Sequence, residues 1–312
     1  MRTATLPALA KINLDLRVIG KREDGYHELR TIFQTISLAD SITLSFTPAR
    51  RSSVTIDDAL NIPNNLGVRA AEVALREMRK AGKVEIRLTK RIPMGAGLGG
   101  GSSDAAAILL GLPALAGREI ALPRLLEIAQ ELGSDVPFFL FGGRAAAIGR
   151  GTELFPLPDL PVQYGVLAAP EIHVSTAAAF QALGKRLTIG LRQNKIGSFQ
   201  SQVWGQGSAG TGVNDFESVV FDAHPKLKPV KTRLLRAGAS SAMMTGSGSA
   251  IFGLFPSRAA VARAIGLLDG LDVAGLFQIA LVTRARYRRM WWRALKEHIS
   301  GRTWPPQSRY SR

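Results

Sequence analysis

One glycine-rich stretch constrains the fold more than any other feature of the chain. Residues 93–106 read Pro-Met-Gly-Ala-Gly-Leu-Gly-Gly-Gly-Ser-Ser-Asp-Ala-Ala, with five glycines among the seven positions from Gly95 to Gly101. The apolar run 105–112 follows, so we expect a loop that opens into a buried helix. The first turn of a helix has unpaired N–H groups and about half a positive charge, and both favour a bound anion. Because glycines also let the backbone approach that anion closely, the stretch predicts a phosphate-binding loop.

Two other phosphate-binding signatures fit the stretch less well. A Walker loop has Lys directly before its Ser or Thr, and Gly101 stands there instead. The dinucleotide fingerprint, formally matched by the glycines of residues 95–100, has to follow a buried strand directly, whereas the charged, proline-containing residues 90–93 intervene. A simpler alternative remains open, in which the stretch is only a glycine-rich turn capped by Ser102 and Ser103.

Composition indicates an ordinary protein with large cores. The chain has 312 residues, of which 46% are hydrophobic, and this length suggests two domains. Its apolar runs are shorter than the ~20 residues of a membrane helix, and Lys11 interrupts the early apolar segment before it could serve as a signal-peptide core. With no cysteine and four scattered histidines, the sequence excludes disulfides, thiol catalysis and a Cys or His metal cluster. We expect a cytoplasmic protein that does not bind membranes.

Positive charge is concentrated at the carboxyl end of the chain. The net charge is +16, and residues 281–312 contain nine Lys or Arg and one acidic residue, which gives +8 of that total. Three of the four tryptophans, Trp291, Trp292 and Trp304, lie there too. Basic residues interleaved with aromatics can bind RNA or an anionic membrane surface. We favour the alternative that residues 286–312 form a poorly ordered basic tail, and expect no specific nucleic-acid partner.

The hydrophobic pattern divides the rest of the chain into two α+β domains. Alternation over 8–18 predicts a half-buried strand, and later segments predict further strands, which together favour an antiparallel sheet. The predicted elements of this first part are strands at 28–37, 41–46 and 84–88, helices at 66–80, 102–112 and 123–132, and a hairpin at 145–157. Three prolines within 156–161 mark a boundary, so the domains are placed at 1–160 and 161–285. In the second domain we expect a flexible stretch at 190–212.

Two small groups of residues suggest ligand contacts near the start of the chain. Lys11 and Asn13 lie on the same side of the first strand, roughly 6 to 7 Å apart, so both can address one ligand. Tyr26 and His27 follow a short turn and can hold a planar base by stacking and hydrogen bonding. The alternatives are a solvated strand face for the first pair and, for the second, a core tyrosine beside an exposed loop histidine.

Five sequence blocks in order resemble the GHMP kinases, which include galactokinase and the homoserine, mevalonate and phosphomevalonate kinases. The blocks are Ala-Lys-Ile-Asn-Leu at 10–14, Asp-Gly-Tyr-His at 24–27, the glycine loop, Gly-Ser-Asp-Val-Pro-Phe at 133–138 and Met-Thr-Gly-Ser-Gly at 244–248. The first two are characteristic of the branch that acts on cytidylated methylerythritol. The resemblance implies an α+β two-domain GHMP kinase, with an N-terminal ribosomal-S5-domain-2-like domain and a C-terminal ferredoxin-like domain. It also implies phosphorylation of that substrate's 2-hydroxyl in the non-mevalonate isoprenoid route, with ATP and Mg²⁺.

The resemblance also implies roles for individual residues. Asp135 matches the catalytic carboxylate that accepts the hydroxyl proton, although a capping role at the next helix is the alternative. Lys11 matches its electrostatic partner, and Asn13 would hold the substrate. The residues matching the ATP phosphate-binding loop are Pro93, Gly95, Gly97, Leu98, Gly99, Gly100, Gly101, Ser102 and Ser103. The hydroxyl of Ser102 or Ser103 would contact Mg²⁺.

The remaining matches concern the base and the substrate phosphates. Asn65 and Leu66 match the adenine region, and Phe180 matches the aromatic residue that stacks on cytosine opposite Tyr26. Gly246, Ser247 and Gly248 form a second glycine turn that would approach the substrate phosphates, unless it is an ordinary hairpin turn. The sequence leaves open a monomer or a homodimer. Two rivals remain, namely another substrate within the same family and a nucleic-acid-binding module on the tail.

Overall fold

The first domain is built on a long, central antiparallel strand pair. The computed structural model describes residues 1–184, 191–204, 212–268, 270 and 272–310. The strands of the first sheet are β1 (Arg2–Lys21), β2 (His27–Pro48), β3 (Ser53–Asp58), β4 (Gly82–Thr89), β5 (Arg144–Gly149) and β6 (Glu153–Pro156). The path through the sheet is β3-β4-β2-β5-β6, and β1 pairs with β2. Because β2 pairs with β5 through its first half and with β4 through its second, one strand spans the sheet.

Four helices belong to this part of the chain. They are α1 (Leu66–Glu77), α2 (Gly100–Ala116), α3 (Leu122–Leu132) and α4 (Val136–Phe139). Helix α2 is buried from Ser103 to Ala116 and packs on β1, β2 and α1, as its apolar sequence predicts. The glycine loop thus leads into the centre of the first core.

The strand predictions for 28–37 and 41–46 were wrong in one respect, because β2 continues through the residues between them. Asp40, which falls between the two predicted strands, lies within β2 and is 1% exposed. Its carboxylate accepts hydrogen bonds from the backbone N–H groups of Arg91 and Ile92, at 2.5 and 2.9 Å, and pairs with Lys90. A buried polar group with these partners does not need to leave the strand.

The second domain is a four-stranded antiparallel sheet with helices. Its strands are β7 (Tyr164–Ala169), β8 (Ser241–Met244), β9 (Ile251–Phe255) and β10 (Gly275–Ala280), and the order is β10-β7-β9-β8. Its helices are α5 (Thr176–Gly184), α6 (Leu191–Trp204), α7 (Glu217–Ala223), α8 (Leu227–Arg236) and α9 (Arg258–Leu267). This β-α-β-β-α-β arrangement is ferredoxin-like, so the predicted two-domain fold is confirmed.

Part of the expected flexible stretch at 190–212 is helical. Residues 191–204 form α6, whose Phe199 is buried against the first strands, while residue 190 and residues 205–211 lie outside the described residues. The boundary proposed between 160 and 161 falls between β6 and β7.

The polar side of β1 faces the second domain and not solvent. Lys11, Asn13, Asp15 and Arg17 are all buried. The chain near Asn214 covers this side, and backbone Leu16 N–H donates to Val213 O at 2.7 Å. Burial raises the pKa of Asp15, and Arg17 opposes that shift with two hydrogen bonds of 2.8 and 3.1 Å. The alternative of a solvated strand face is therefore wrong.

The basic tail is folded onto the first domain, so the expectation of disorder for residues 286–312 is wrong as far as Tyr310. Residues Arg284–Ala294 form α10. Tyr287, Trp291 and Leu295, spaced four residues apart, are at most 1% exposed and belong to the first domain's core. This spacing places them on one helix face, and the arginines between them take the other. Residues 311–312 lie outside the described residues.

In the described part of the chain, no helix is long and apolar enough to cross a membrane.

Candidate active site

The glycine loop has backbone conformations that favour glycine. Gly95, Gly97 and Gly99 have φ angles of 65°, 79° and 71°, in the left-handed region. Gly99 is the residue before α2, so the loop delivers the unpaired N–H groups of the helix's first turn. The loop lines a cavity of about 430 Å³, with Pro93 at one wall.

Asn65 and Leu66 line the same cavity and begin helix α1. The Asn65 side chain accepts a hydrogen bond from Gly67 N–H at 2.8 Å, which caps α1 and fixes the start of that helix. The structure therefore brings the expected adenine region together with the expected phosphate loop.

The two glycine turns, one from each domain, are in backbone contact. A Cβ atom placed on Gly97 would lie 2.2 Å from Thr245 O, and one on Gly246 would lie 2.9 Å from the Gly97 Cα. Thr245 Oγ1 lies 3.3 Å from Gly97 O, and Ala250 N–H donates to Ala96 O at 3.3 Å. The turn at 246–248 is therefore part of the site and not an isolated hairpin turn.

Lys11 and Asp135 meet beside the loop. The Lys11 Nζ lies 3.5 Å from Asp135 Oδ2, with the lysine buried and the aspartate one-third exposed. Backbone Lys11 N–H donates to Leu98 O at 3.0 Å, which ties β1 to the loop. Asp135 stands just before α4, but among the described residues its side chain makes no capping hydrogen bond with that helix. The capping alternative is therefore not what the structure shows.

The Asn13 side chain links the two domains through hydrogen bonds. Its Oδ1 accepts from Lys11 Nζ at 2.9 Å, from Gly246 N–H at 2.9 Å and from Thr245 Oγ1 at 3.2 Å. Its Nδ2 donates to Thr31 Oγ1 at 2.8 Å. With the residue only 2% exposed, this amide holds Lys11 and the second turn in place. That Asn13 holds the substrate stays a prediction, since the residue lines a small cavity with Lys11 and Asp135 while its carbonyl oxygen is already used within the protein.

The two serines of the loop differ in their surroundings. Ser103 is buried, and its hydroxyl donates to Leu9 O at 2.7 Å. Ser102 is half-buried and lines both the loop cavity and a larger neighbouring one. Of the two hydroxyls expected near Mg²⁺, only that of Ser102 faces the site.

A buried charge cluster under the loop was missed in the sequence. Lys90 Nζ donates to Asp104 Oδ2 at 2.8 Å and also pairs with Asp40. Burial, together with nearby Asp40, raises the pKa of Asp104 to about 7, although Lys90 opposes the shift. A Cβ atom on Gly100 would lie 3.2 Å from Lys90 Nζ, so the cluster supports the start of α2. The three residues are far apart in the sequence and occupy different elements, so no local pattern links them.

A larger cavity, of about 1190 Å³, is also lined by Asp135 and contains aromatic rings. Tyr26 is 52% exposed, which excludes the core-tyrosine alternative. His27 stacks on Phe180 with ring centroids 4.5 Å apart, so one face of the Phe180 ring is covered by the imidazole. Burial and then Lys21 lower the pKa of His27, which favours the neutral imidazole.

Arg150 is a further residue of this cavity that sequence reasoning did not assign. Its guanidinium carbon lies 3.5 Å from the centre of the Tyr26 ring, within cation–π range. It lies in the segment 140–155, in which no residue is predicted to contact the base. Only an isolated arginine after a glycine marks it, which is too weak a signal to find it.

The cavities adjoin at Asp135. This residue lines the large cavity and also a smaller one of about 190 Å³, whose walls include Gly97, Gly99 and Gly246. Ser247, at the turn, pairs with Thr176 Oγ1 at 2.8 Å and holds α5 near the site. A carboxylate with a lysine partner therefore stands between an anion-binding loop and a cavity suited to a planar base. This arrangement defines the class of the protein, a kinase that acts on a small molecule.

Comparison with known proteins agrees with this class. The model of the GHMP kinases N terminal domain matches residues 65–143, and that of the GHMP kinases C terminal matches residues 201–266. A 4-diphosphocytidyl-2-C-methyl-D-erythritol kinase from Solibacter usitatus is 62% identical over 314 residues, which cover 99% of this chain and 98% of the relative. The chain therefore belongs to the GHMP kinases, in the family of the 4-diphosphocytidyl-2-C-methyl-D-erythritol kinases.

Solved structures give the same result for the fold. A crystal structure of a 4-(cytidine 5'-diphospho)-2C-methyl-D-erythritol kinase is 38% identical, with a TM-score of 0.73, and the match covers 89% of this chain and 98% of the other. A homoserine kinase from Cytophaga hutchinsonii has a TM-score of 0.71 at 20% identity, over 91% and 95% of the two chains. This second similarity supports the fold alone.

Proposed function

We propose that this chain transfers the γ-phosphoryl group of ATP to the 2-hydroxyl of 4-diphosphocytidyl-2-C-methyl-D-erythritol, giving the 2-phosphate and ADP in the non-mevalonate isoprenoid route. The observation that carries the proposal is the position of the Lys11–Asp135 pair, 3.5 Å apart, between the glycine loop and the aromatic cavity. Phosphoryl transfer needs an oriented hydroxyl, an acceptor for its proton and positive groups around the phosphates. The site offers a group for each requirement.

The glycine loop would hold the phosphates of ATP. Its N–H groups at the start of α2 supply donors and the positive end of the helix dipole. Asn65 and Leu66, across the same cavity, would contact the adenine. The turn 246–248 would close the site over the phosphates from the second domain.

Asp135 would accept the proton of the substrate hydroxyl. Its partial exposure lets it reach a ligand, and Lys11, which is buried beside it, would pair with the carboxylate and orient the hydroxyl. Asn13 would act indirectly, by fixing the lysine's amino group. One proton then moves from the hydroxyl to Asp135 Oδ2 as the new O–P bond forms and the bond to the ADP oxygen breaks.

Ser102 would contribute a hydroxyl to a magnesium ion. Mg²⁺ keeps several waters and binds substrate phosphates with few protein ligands, so one accessible hydroxyl at the loop fits this ion. When bound, the ion neutralises charge on the phosphate oxygens.

The large cavity would bind the cytosine. Neutral His27 can donate or accept a hydrogen bond at the base edge, and Tyr26 and Phe180 offer ring faces. Arg150, over Tyr26, would add positive charge near the diphosphate. A kinase for mevalonate or homoserine has no base to hold, so these residues favour the cytidylated substrate over that rival.

The rival function, nucleic-acid binding by the tail, has less support. Trp291 is buried, and Trp304 donates its indole N–H to Leu140 O at 3.0 Å. These rings pack against protein and are not presented for base stacking.

Substrate choice is tested by measuring ADP release from Mg·ATP with four acceptors: the cytidylated methylerythritol, methylerythritol phosphate, mevalonate and homoserine. We expect turnover with the first alone. Turnover with another alcohol would mean that the chain is a kinase with a different substrate. No turnover with any acceptor would overturn the proposal.

The role of Asp135 is tested by Asp135→Asn. Loss of a positioned base should lower kcat by ~10² to 10⁴-fold while ATP still binds. The matched control is Asp57→Asn, because Asp57 is an exposed strand residue paired only with exposed Arg87 within the described residues. If Asp135→Asn kept most of its turnover, Asp135 would be removed from the mechanism.

A further inference from the structure

We propose that the C-terminal segment 284–310 positions Asp135 by holding the carboxyl end of the short helix α4, which begins directly after this residue. The inference rests on the proposed function, because it assigns the segment a role through Asp135. Three side chains of the segment donate to backbone carbonyl groups at the last residue of α4 and in the three residues that follow it. They are Tyr287 to Phe139 O, Trp304 to Leu140 O at 3.0 Å and Arg284 to Gly142 O at 3.3 Å.

Helix α4 depends on contacts with its surroundings for its position, which come from α2 and α3 as well as from the C-terminal segment. It has four residues, Val136 to Phe139, and a helix of this length has few internal hydrogen bonds to fix its direction. Asp135 lies directly before it, about 6 Å along the axis from Phe139 at the usual rise per residue. The position of the carboxyl end of α4 therefore bears directly on the position of the aspartate.

The donors are rigidly held. Tyr287 is 1% exposed, and its ring packs near the rings of Trp291 and Trp304, with centroids 6.3 and 6.1 Å away. Gly142 has a φ of 60°, and a Cβ atom there would lie 2.5 Å from the Tyr287 ring. The backbone after α4, at Gly142, thus leaves room for the Tyr287 ring.

The same segment also contacts the end of α2, the helix that starts at the glycine loop. Ser308 Oγ donates to Ala114 O at 2.7 Å, near the last turn of α2. Residues 284–310 therefore hold the carboxyl ends of the two helices whose amino ends line the site. We class Tyr287 and Trp304 as positioning residues, since they contact neither cavity.

The test uses Tyr287→Phe and Trp304→Phe in the full-length protein, each of which removes one donor and keeps an aromatic ring. The matched control is Trp292→Phe, because this third tryptophan of the segment donates its N–H to Thr303 O at 3.1 Å, within the segment itself. All variants are assayed for kcat and for the KM of ATP and of the cytidylated acceptor, well below their unfolding temperatures.

We expect each of the two donor variants to lower kcat by ~10-fold with both KM values unchanged, because the misplaced group acts in the chemical step. The control should keep the kcat of the parent chain. If Tyr287→Phe does not fold, Trp304→Phe decides the question.

A double-mutant cycle separates positioning from general stability. When Tyr287→Phe is combined with Asp135→Asn, the single-turnover rate constant should equal that of Asp135→Asn alone within two-fold. The reason is that the carboxylate through which the tyrosine acts is gone. A full ~10-fold further loss would show that the segment acts elsewhere and would overturn the inference, as would unchanged kcat in both donor variants. Full turnover of Asp135→Asn would remove Asp135 from the mechanism and the inference with it, whereas no turnover of the parent chain with any acceptor would overturn the proposed function, so the two failures are distinguishable.

Discussion

The contact between the two glycine turns gives the sharpest test of the site's geometry. The perturbation is Gly97→Ala, which adds one methyl group. In the present backbone that methyl would lie 2.2 Å from Thr245 O, about 1 Å closer than ordinary contact, and the residue has a φ of 79°. Either the turns separate by roughly this amount or the loop changes its conformation.

The expected magnitude follows from two costs. A left-handed conformation costs a non-glycine residue about 1–2 kcal/mol, and overpacking against backbone costs about 1–3 kcal/mol more. The free energy of unfolding should therefore fall by about 2–5 kcal/mol. Because a displacement of about 1 Å in a reacting geometry can cost ~10²-fold in rate, kcat should fall by about that factor.

The assay is ADP release with Mg·ATP and the cytidylated acceptor, with urea unfolding of the same preparations. The control is Gly266→Ala in helix α9, where an added Cβ meets nothing within 4 Å among the described residues and should slightly stabilise the helix. If Gly97→Ala kept kcat within two-fold and the stability of the parent chain, the proposed contact between the turns would be refuted.

Two further predictions concern pH. Burial lowers the pKa of His27 below 6.5, so the KM for the cytidylated acceptor should stay level from pH 8 to 6.5 and rise only below pH 6.5. The variant His27→Gln should not show this rise. A KM that is level at all pH values in the parent chain would argue against a contact between His27 and the base. Asp104 keeps its proton in the folded state up to about pH 7 but loses it near 3.8 when unfolded, so stability falls as pH rises between these values, by at most about 1.4 kcal/mol per pH unit. Urea unfolding at pH 5, 6 and 7 should show a smaller slope for Asp104→Asn, and equal slopes would contradict the assigned titration.

The sequence predicted those parts of the protein in which chemistry is local. A glycine loop followed by an apolar run indicates its own conformation, because φ preferences and helix burial depend on neighbouring residues. The same is true of the Tyr26–His27 turn. These features, with the order of the five blocks, were sufficient for the fold and the general place of the site.

Features that depend on what covers a residue could not be predicted in this way. Period-two polarity placed Lys11 and Asn13 on one face of β1, but only the folded chain shows that the second domain covers this face. The Lys90 cluster brings together residues 50 and 14 positions away from the lysine. In the tail, Tyr287 and Trp291 have the four-residue spacing of one helix face, but the arginines between them favoured the interpretation as a poorly ordered basic tail.

The packing of helix α10 also determines when the first domain can finish folding. Trp291 and Leu295 belong to the same hydrophobic cluster as Leu6, Leu9 and Leu44, near the opposite end of the chain. During synthesis, part of the apolar surface of the first core therefore stays uncovered until the ribosome has made the second domain and the helix that follows it. Contacts of this sequence separation slow folding. A chain truncated before Arg284 would keep the strands of both sheets and leave this core open, which would make it a substrate for chaperones and proteases.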